Sequence, residues 1–257
     1  MIKKHSKTFK HIALTILYPI LALAIVLSVW AIASAVKNNP LVLPMPSVVL
    51  DRFFVLYNEK RFWISIGMTL YRTTLAFLVS FVFAYILAVL TDMFAPVKKT
   101  LSPIVSILRA APTVAVIYIF YAFMSNKSMT IVVGFLIAFP IMYANFESAL
   151  QGKDSNLLKM SNVYHVRKTS ILLNVYFLSV ADYIFDTARS TLSLTLKVVI
   201  AAEILTSVVP SVGGKIQVAY SSFEVEYLLA WTILAIVLSF VVELFVFTLK
   251  KLCIRWK

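Results

Sequence analysis

Residues 147–170 read ESALQGKDSNLLKMSNVYHVRKTS, the longest polar interval in a chain that is otherwise a succession of apolar runs. Within it, Asn156-Leu157-Leu158-Lys159-Met160-Ser161 has no glycine or proline and carries an apolar stripe. That pattern predicts a short amphipathic helix. Lys153, Lys159, Arg167 and Lys168, with His165, make the segment basic. Two readings are open: a docking surface for a partner at the membrane face, or an ordinary solvated loop.

The sequence on either side is too apolar for a soluble domain. Hydrophobic residues make up 61% and charged residues 14% of the 257. Soluble domains are nearer ~45–50% and ~25%. The runs are too long, and alternate too little, for lipid-facing barrel strands, so the fold class is all-α and polytopic. Net charge is +13. The bases sit in loops beside apolar runs, which fits orientation in a bilayer and anionic headgroups better than nucleic acid. Cys253 is the single cysteine, and His5, His11 and His165 are scattered. No disulfide, metal site or cofactor is expected.

Six spans are predicted. The first covers 12–36 and is too long for a cleaved signal, whose apolar region is about 7–15 residues. The second covers 64–90, with Arg72 near its outer end, placed to snorkel to the headgroups. The third covers 101–124 and is interrupted at Arg109-Ala110-Ala111-Pro112; the fourth, 129–143, holds Gly134 and Pro140. The fifth lies within 171–209 and carries Asp182, Asp186, Arg189, Lys197 and Glu203. The sixth covers 227–249, with Glu243 inside it. Between the first two, Leu43-Pro44-Met45-Pro46 enforces extended backbone. Ser47 then caps a short interfacial helix over 48–57. Residues 210–226 read as an outer loop around Gly213-Gly214.

Charge sets the orientation. With the N-terminus inside, fourteen of the 24 Lys and Arg fall on the inner side, six on the outer side and four within spans. That excess puts both termini, the tails 1–11 and 250–257, and the 147–170 segment in the cytoplasm. Without repeats or low-complexity stretches, 1–257 reads as one domain.

Catalytic chemistry is not legible. Gly213-Gly214-Lys215 lacks the earlier glycine of a phosphate-binding loop, and Ile216 stands where Ser or Thr would hold Mg²⁺. Neither a zinc-protease nor a serine-hydrolase motif occurs. The chain is not read as an enzyme, and any ATP used must be bound elsewhere. Ionisable groups inside spans are the remaining candidates. Asp186 and Arg189 are three apart and share a helical face with Asp182. They suit an internal ion pair that fixes packing, or substrate contact and gating. Lys197 and Glu203 are six apart and do not face each other on a straight helix. With Arg109 they complete the candidates for a translocation path.

The ordered features resemble the inner-membrane permease subunits of binding-protein-dependent ABC importers, in the sulfonate, taurine, nitrate and thiamine-precursor branch. Leu43-Pro44-Met45-Pro46-Ser47 is similar to that family's Leu-Pro-x-Pro-Ser segment, and Leu108-Arg109-Ala110-Ala111-Pro112 to its Leu-Arg-x-x-Pro stretch. Ala188-Arg189, Ala201-Ala202-Glu203 and Val212-Gly213-Gly214-Lys215-Ile216 continue the match, and Ile254-Arg255-Trp256-Lys257 ends it. The resemblance implies a type I importer permease with six helices in a lipid bilayer. Its partners would be a second permease copy, an ABC ATPase subunit and an extracytoplasmic substrate-binding protein. It also implies a cytoplasmic coupling helix. Counting back from Arg189 places Lys159-Met160-Ser161 at the family's Glu-Ala-Ala and His165 at its glycine, with Phe177-Leu178 at the usual Leu-Pro. The glutamate and glycine are therefore replaced here. Leu157, Leu158 and Met160 would fill an apolar groove on the ATPase, with Lys159 and Arg167 on its acidic rim. The alternatives are an ATP-independent secondary transporter or channel, using Asp182, Asp186 or Glu203 as a relay, and a non-transporting membrane interaction protein. Missing inverted repeats speak against the secondary transporter.

Overall fold

Prolines and small residues decide where the helices of this chain begin, break and touch. The computed structural model describes residues 2–152, 155–171 and 176–253. Lys153, Asp154 and the terminus at 254–257 lie outside the described residues, as do the side chains of Leu157, Leu158 and Asp182. Eleven helices follow in order among the described residues: α1 (Ile2–Lys37), α2 (Pro46–Tyr57), α3 (Lys60–Met93), α4 (Ala95–Ala110), α5 (Thr113–Phe123), α6 (Asn126–Gln151), α7 (Ser155–Val163), α8 (Lys168–Ile171), α9 (Leu178–Leu205), α10 (Val212–Ser221) and α11 (Val225–Cys253).

Four of these are long and apolar enough to cross a membrane: α1 over Leu17–Lys37, α3, α6 and α11. The α4–α5 pair, bent by 99°, supplies a fifth. At 28 residues, α9 is about 42 Å long against a hydrocarbon core of ~30 Å. Its charges set it apart from the other long helices. One end of the bundle gathers Lys98, Lys99, Lys159, Arg167, Lys250 and Lys251, where α3, α6 and α11 finish and α9 starts. This is the basic end.

The centre is the crossing of α3, α6 and α9. The sequence of α3 looks evenly apolar, yet its buried side is a row of small and polar residues: Ser65, Thr69, Thr73, Ala76, Ser80, Ala84 and Ala88. Three- and four-residue steps put them on one face, where small side chains let backbones approach. A Cβ on Gly134 of α6 would lie 2.9 Å from Ala76 Cβ and 3.0 Å from Val199 Cγ2. Ser80 Oγ donates to Ala76 O at 2.7 Å and also lies 3.2 Å from Phe135 O on α6. Nearer the basic end, Phe81, Tyr85 and Phe146 pack edge to face. In contrast, α11 closes over α9 and α2, burying Trp231 against Phe62 with Val49 and Leu196. The peripheral helix α1 is tied on near its C-terminal end, where Trp30 Nε1 donates to Pro44 O and Ser34 Oγ to Leu43 O.

The third span is interrupted at the expected Ala111-Pro112: Ala111 sits at φ −67°, ψ 128° ahead of Pro112, the N-cap of α5. Proline pushes its predecessor into extended backbone, and that turns the chain. Other sequence expectations need correction. Ser47 does not cap the short helix, because α2 already starts at Pro46 behind an extended Met45. The first residues of the polar interval, 147–151, belong to the long helix α6, which stops only at Gly152. Residues 212–221 form a helix, not a loop, with Val212, Gly213 and Gly214 buried.

Candidate functional site

Asp186, Arg189, Ser190, Leu194 and Lys197 are exposed along one face of α9. Antiparallel α11 runs beside that face. Lys250 Nζ lies 2.6 Å from Asp186 Oδ1, and Arg189 Nη2 lies 3.8 Å from Glu243 Oε2. The guanidinium of Arg189 also sits 5.6 Å from the Phe247 ring centre. The expected Asp186–Arg189 pair therefore gives way to two pairs between helices, because α11 offers each charge an opposite partner. Above Glu243, a groove of about 440 Å³ is lined by Lys197, Ile200, Thr232, Ser239 and Phe240. Phe240 and Glu243 are shared with a second hollow of about 390 Å³ at Arg189 and Phe247. The two hollows join into one track in which Lys197, Arg189 and Glu243 stand among mostly apolar walls, Ile200, Ile204, Ile216 and Ile236 included. Lys197 has no ion-pair partner among the described residues. Glu243 lines the same groove, and the Thr232 and Ser239 hydroxyls donate to Leu228 O and Ala235 O within α11. No group of metal ligands occurs among the described residues. Arg109 stands apart, exposed in the last turn of α4 before the bend.

Glu203 does not join this track. It is 0% exposed and faces α3. Arg72 Nη1 donates to Glu203 Oε1 at 2.7 Å and Thr69 Oγ1 to Oε2 at 2.8 Å. The first turn of α10 completes the cluster: Gly213 N–H donates to Glu203 Oε2 at 3.2 Å, and Val212 N–H to Thr69 Oγ1 at 2.9 Å. A carboxylate at a helix N-terminus meets the positive end of its dipole, so Glu203 is held by a helix end and a guanidinium together. Ser211 caps α10 by accepting from Gly214 N–H at 2.8 Å. Close approach explains both glycines. A Cβ on Gly213 would lie 2.5 Å from Glu203 Cβ, and one on Gly214 would lie 2.0 Å from Val208 O. Arg72 was expected to snorkel; it is 1% exposed, because it points along the small-residue face of α3 into the bundle. Thr69 escaped sequence reading altogether. The available signal was a threonine and an arginine three apart on that same face.

At the basic end, Ser155–Val163 of the interval quoted first form α7. Met160, Val163 and Tyr164 are 54%, 73% and 74% exposed, an apolar face without cover. Lys159, His165 and Arg167 are exposed beside it, and Ser161 is half-buried. Leu157 and Leu158 fall on the helix, with side chains outside the described residues. His165 takes φ 50°, the left-handed region that glycine enters freely. Val166 N–H then closes the turn on Ser161 O at 2.9 Å. The end of α6 that leads into it is tied to the α3–α4 corner by Lys98 Nζ, 2.7 Å from Glu147 Oε1, and by Tyr143 OH, 3.2 Å from Thr91 Oγ1.

Residues 80–252 match the model of a family described as the binding-protein-dependent transport system inner membrane component. Over 249 residues the chain is 24% identical to the nitrate import permease protein NrtB of Synechocystis sp., covering 93% of this chain and 90% of that protein.

Proposed function

The chain belongs to the binding-protein-dependent transport inner-membrane components, and from that premise we propose that it carries a small inorganic anion along the α9–α11 track. It is the permease subunit of an ABC importer. The observation that carries the substrate assignment is Lys197, a cation without an ion-pair partner among the described residues, in a groove between α9 and α11. An unpaired charge on a span is expensive in lipid, so it belongs where water and substrate reach it. The similarity to a nitrate import permease makes nitrate the first substrate to try.

In this reading two copies of the chain bring their tracks together around one path. The basic end faces the cytoplasm, following the excess of Lys and Arg there. Coupling runs through α7. Met160, Val163 and Tyr164, with Leu157 and Leu158, enter an apolar groove on the ATPase, while Lys159 and Arg167 meet acidic residues around it. Support comes from the exposed apolar face of α7 and from the left-handed turn at His165, where the family motif has glycine. ATP-driven closure of the ATPases pushes α7, and the bundle shifts between openings to either side as a population change.

The test is reconstitution in proteoliposomes with a cognate ATPase and binding protein. ATP-dependent uptake of labelled nitrate is expected, and it should vanish when the ATPase is omitted. Equal uptake without the ATPase would overturn the coupling, and ATP-driven uptake that nitrate neither enters nor inhibits would overturn the substrate class.

A further inference from the structure

We propose that Thr69, Arg72 and Glu203 are positioning residues for transport. They form a two-state latch that seats the N-terminus of α10 on α3 and α9 in one phase of the cycle and releases it in another. The inference rests on the transport reading above.

Arg72 and Glu203 are 1% and 0% exposed. Replacing such a pair by apolar residues is often neutral or stabilising, so stability alone is a weak reason for its presence. What the pair does impose is one arrangement of three helices. Its contacts with the chain around 210–213 are hydrogen bonds: Pro210 O accepts from Arg72 Nη1 at 3.3 Å, Val212 N–H reaches Thr69, and Gly213 N–H reaches Glu203.

Arg72 Nη2 is buried and has no hydrogen-bond partner among the described residues. A guanidinium and a carboxylate pair best through two parallel bonds. Here only Nη1 is engaged, because Glu203 Oε2 is turned to Thr69 and Gly213. Lifting α10 removes the Gly213 N–H and leaves Oε2 with Thr69 alone, open to a second bond from Nη2. Seating the helix and closing the fork therefore compete for one oxygen. Release costs the Gly213 and Pro210 bonds, at 3.2 and 3.3 Å the two longest of the cluster, and the Val212 N–H bond to Thr69, and it returns one charge-assisted bond. The seated arrangement is therefore the resting one, and ATP-driven work supplies the difference that releases it.

The seat is also close-fitting: a Cβ added at Gly213 would lie 2.5 Å from Ile200 O, and one at Gly214 would meet Val208 O, so the first turn of α10 lies on this backbone without spare room. Packed contacts of this kind switch rather than deform. Glu203 lies six residues beyond Lys197 on α9, so the state of the latch acts on the helix that carries the track.

Val208 provides the readout. It is 3% exposed with α10 seated. In a Cys253→Ser background, Val208→Cys is reacted with a maleimide in the detergent-solubilised complex of permease, ATPase and binding protein. Labelling is expected to be about ten-fold or more faster during ATP turnover than at rest, as a shifted two-state population requires. Thr69→Val, which releases Oε2, should bring the resting rate close to the turnover rate, and Thr69→Ser should keep it slow. Equal labelling at rest and in turnover, in a complex that transports normally, overturns the latch and leaves the transport reading intact. A Thr69→Val complex that labels as slowly as the unmodified one at rest overturns the competition for Oε2. Absence of ATP-driven uptake by the unmodified complex counts against the transport reading and removes the latch with it.

Discussion

Arg72 Nη1 meets Glu203 Oε1 at 2.7 Å across 131 positions of the chain, joining the second long helix to the end of α9. Removing one partner leaves the other charged, buried and uncompensated. Glu203→Ala or Arg72→Ala should each lower stability by about 3–5 kcal/mol. The double variant Arg72→Met, Glu203→Leu should recover most of that loss, with a remainder from the unpaired Thr69 hydroxyl and Gly213 N–H. Thermal unfolding of the purified protein in detergent measures all three. Additive losses in the double variant would contradict the pairing.

The glycines differ sharply in what they tolerate. Gly214→Ala places a Cβ 2.0 Å from Val208 O, against backbone that cannot turn aside. A loss above about 3 kcal/mol, or no folded yield, is expected, beyond the usual range for overpacking. Gly67→Ala meets nothing within 4 Å and lies inside α3, two turns from its start. It should be neutral or stabilising by up to ~1 kcal/mol. Comparing the two melting temperatures is sufficient.

His165 is held at φ 50° by the turn after α7. A left-handed residue other than glycine is strained by about 1–2 kcal/mol. His165→Gly should keep or strengthen ATPase binding, and His165→Val should weaken it, since a β-branched side chain resists that backbone. The dissociation constant of the permease–ATPase complex, measured for each variant, reports the difference. Tighter binding by the valine variant would rule out this backbone role.

Leu158→Asp puts a carboxylate on the helix proposed to enter the ATPase groove. Insertion and folding should be unchanged, while co-purification of the ATPase and ATP-driven uptake fall about ten-fold or more, the effect of losing ~1.4 kcal/mol. Normal transport by this variant would dismiss α7 as the coupling element.

Lys197 separates charge from packing. Lys197→Met retains the length of the side chain and removes the ammonium, and uptake should drop at least about ten-fold with ATPase assembly intact. Lys197→Arg should keep most of the uptake. Unchanged uptake with methionine would place the anion elsewhere.

Much of this fold could be read directly. Long apolar runs fixed the main helices, and Pro112 marked the break between α4 and α5. The charges of α9 were legible as an unusual span, but their partners were not. Glu243 and Lys250 come beside Arg189 and Asp186 only because α11 packs antiparallel, a relation that no local spacing carries. Arg72 misled because its distance from the helix start suggested a headgroup depth. Its true environment follows from the small-residue row on which it sits. The α10 helix hid behind paired glycines, which read as turn residues until the neighbouring backbone shows why nothing larger fits.

The elbow at Ala111-Pro112 bears on the lipid around the protein. α4 has 16 residues and α5 has 11, about 24 Å and about 16 Å, so neither limb alone matches the ~30 Å slab. Beside them, α3 with 34 residues exceeds it. Short limbs and a long helix therefore stand next to each other in the same bundle. No single acyl-chain length suits both, so activity should respond to bilayer thickness.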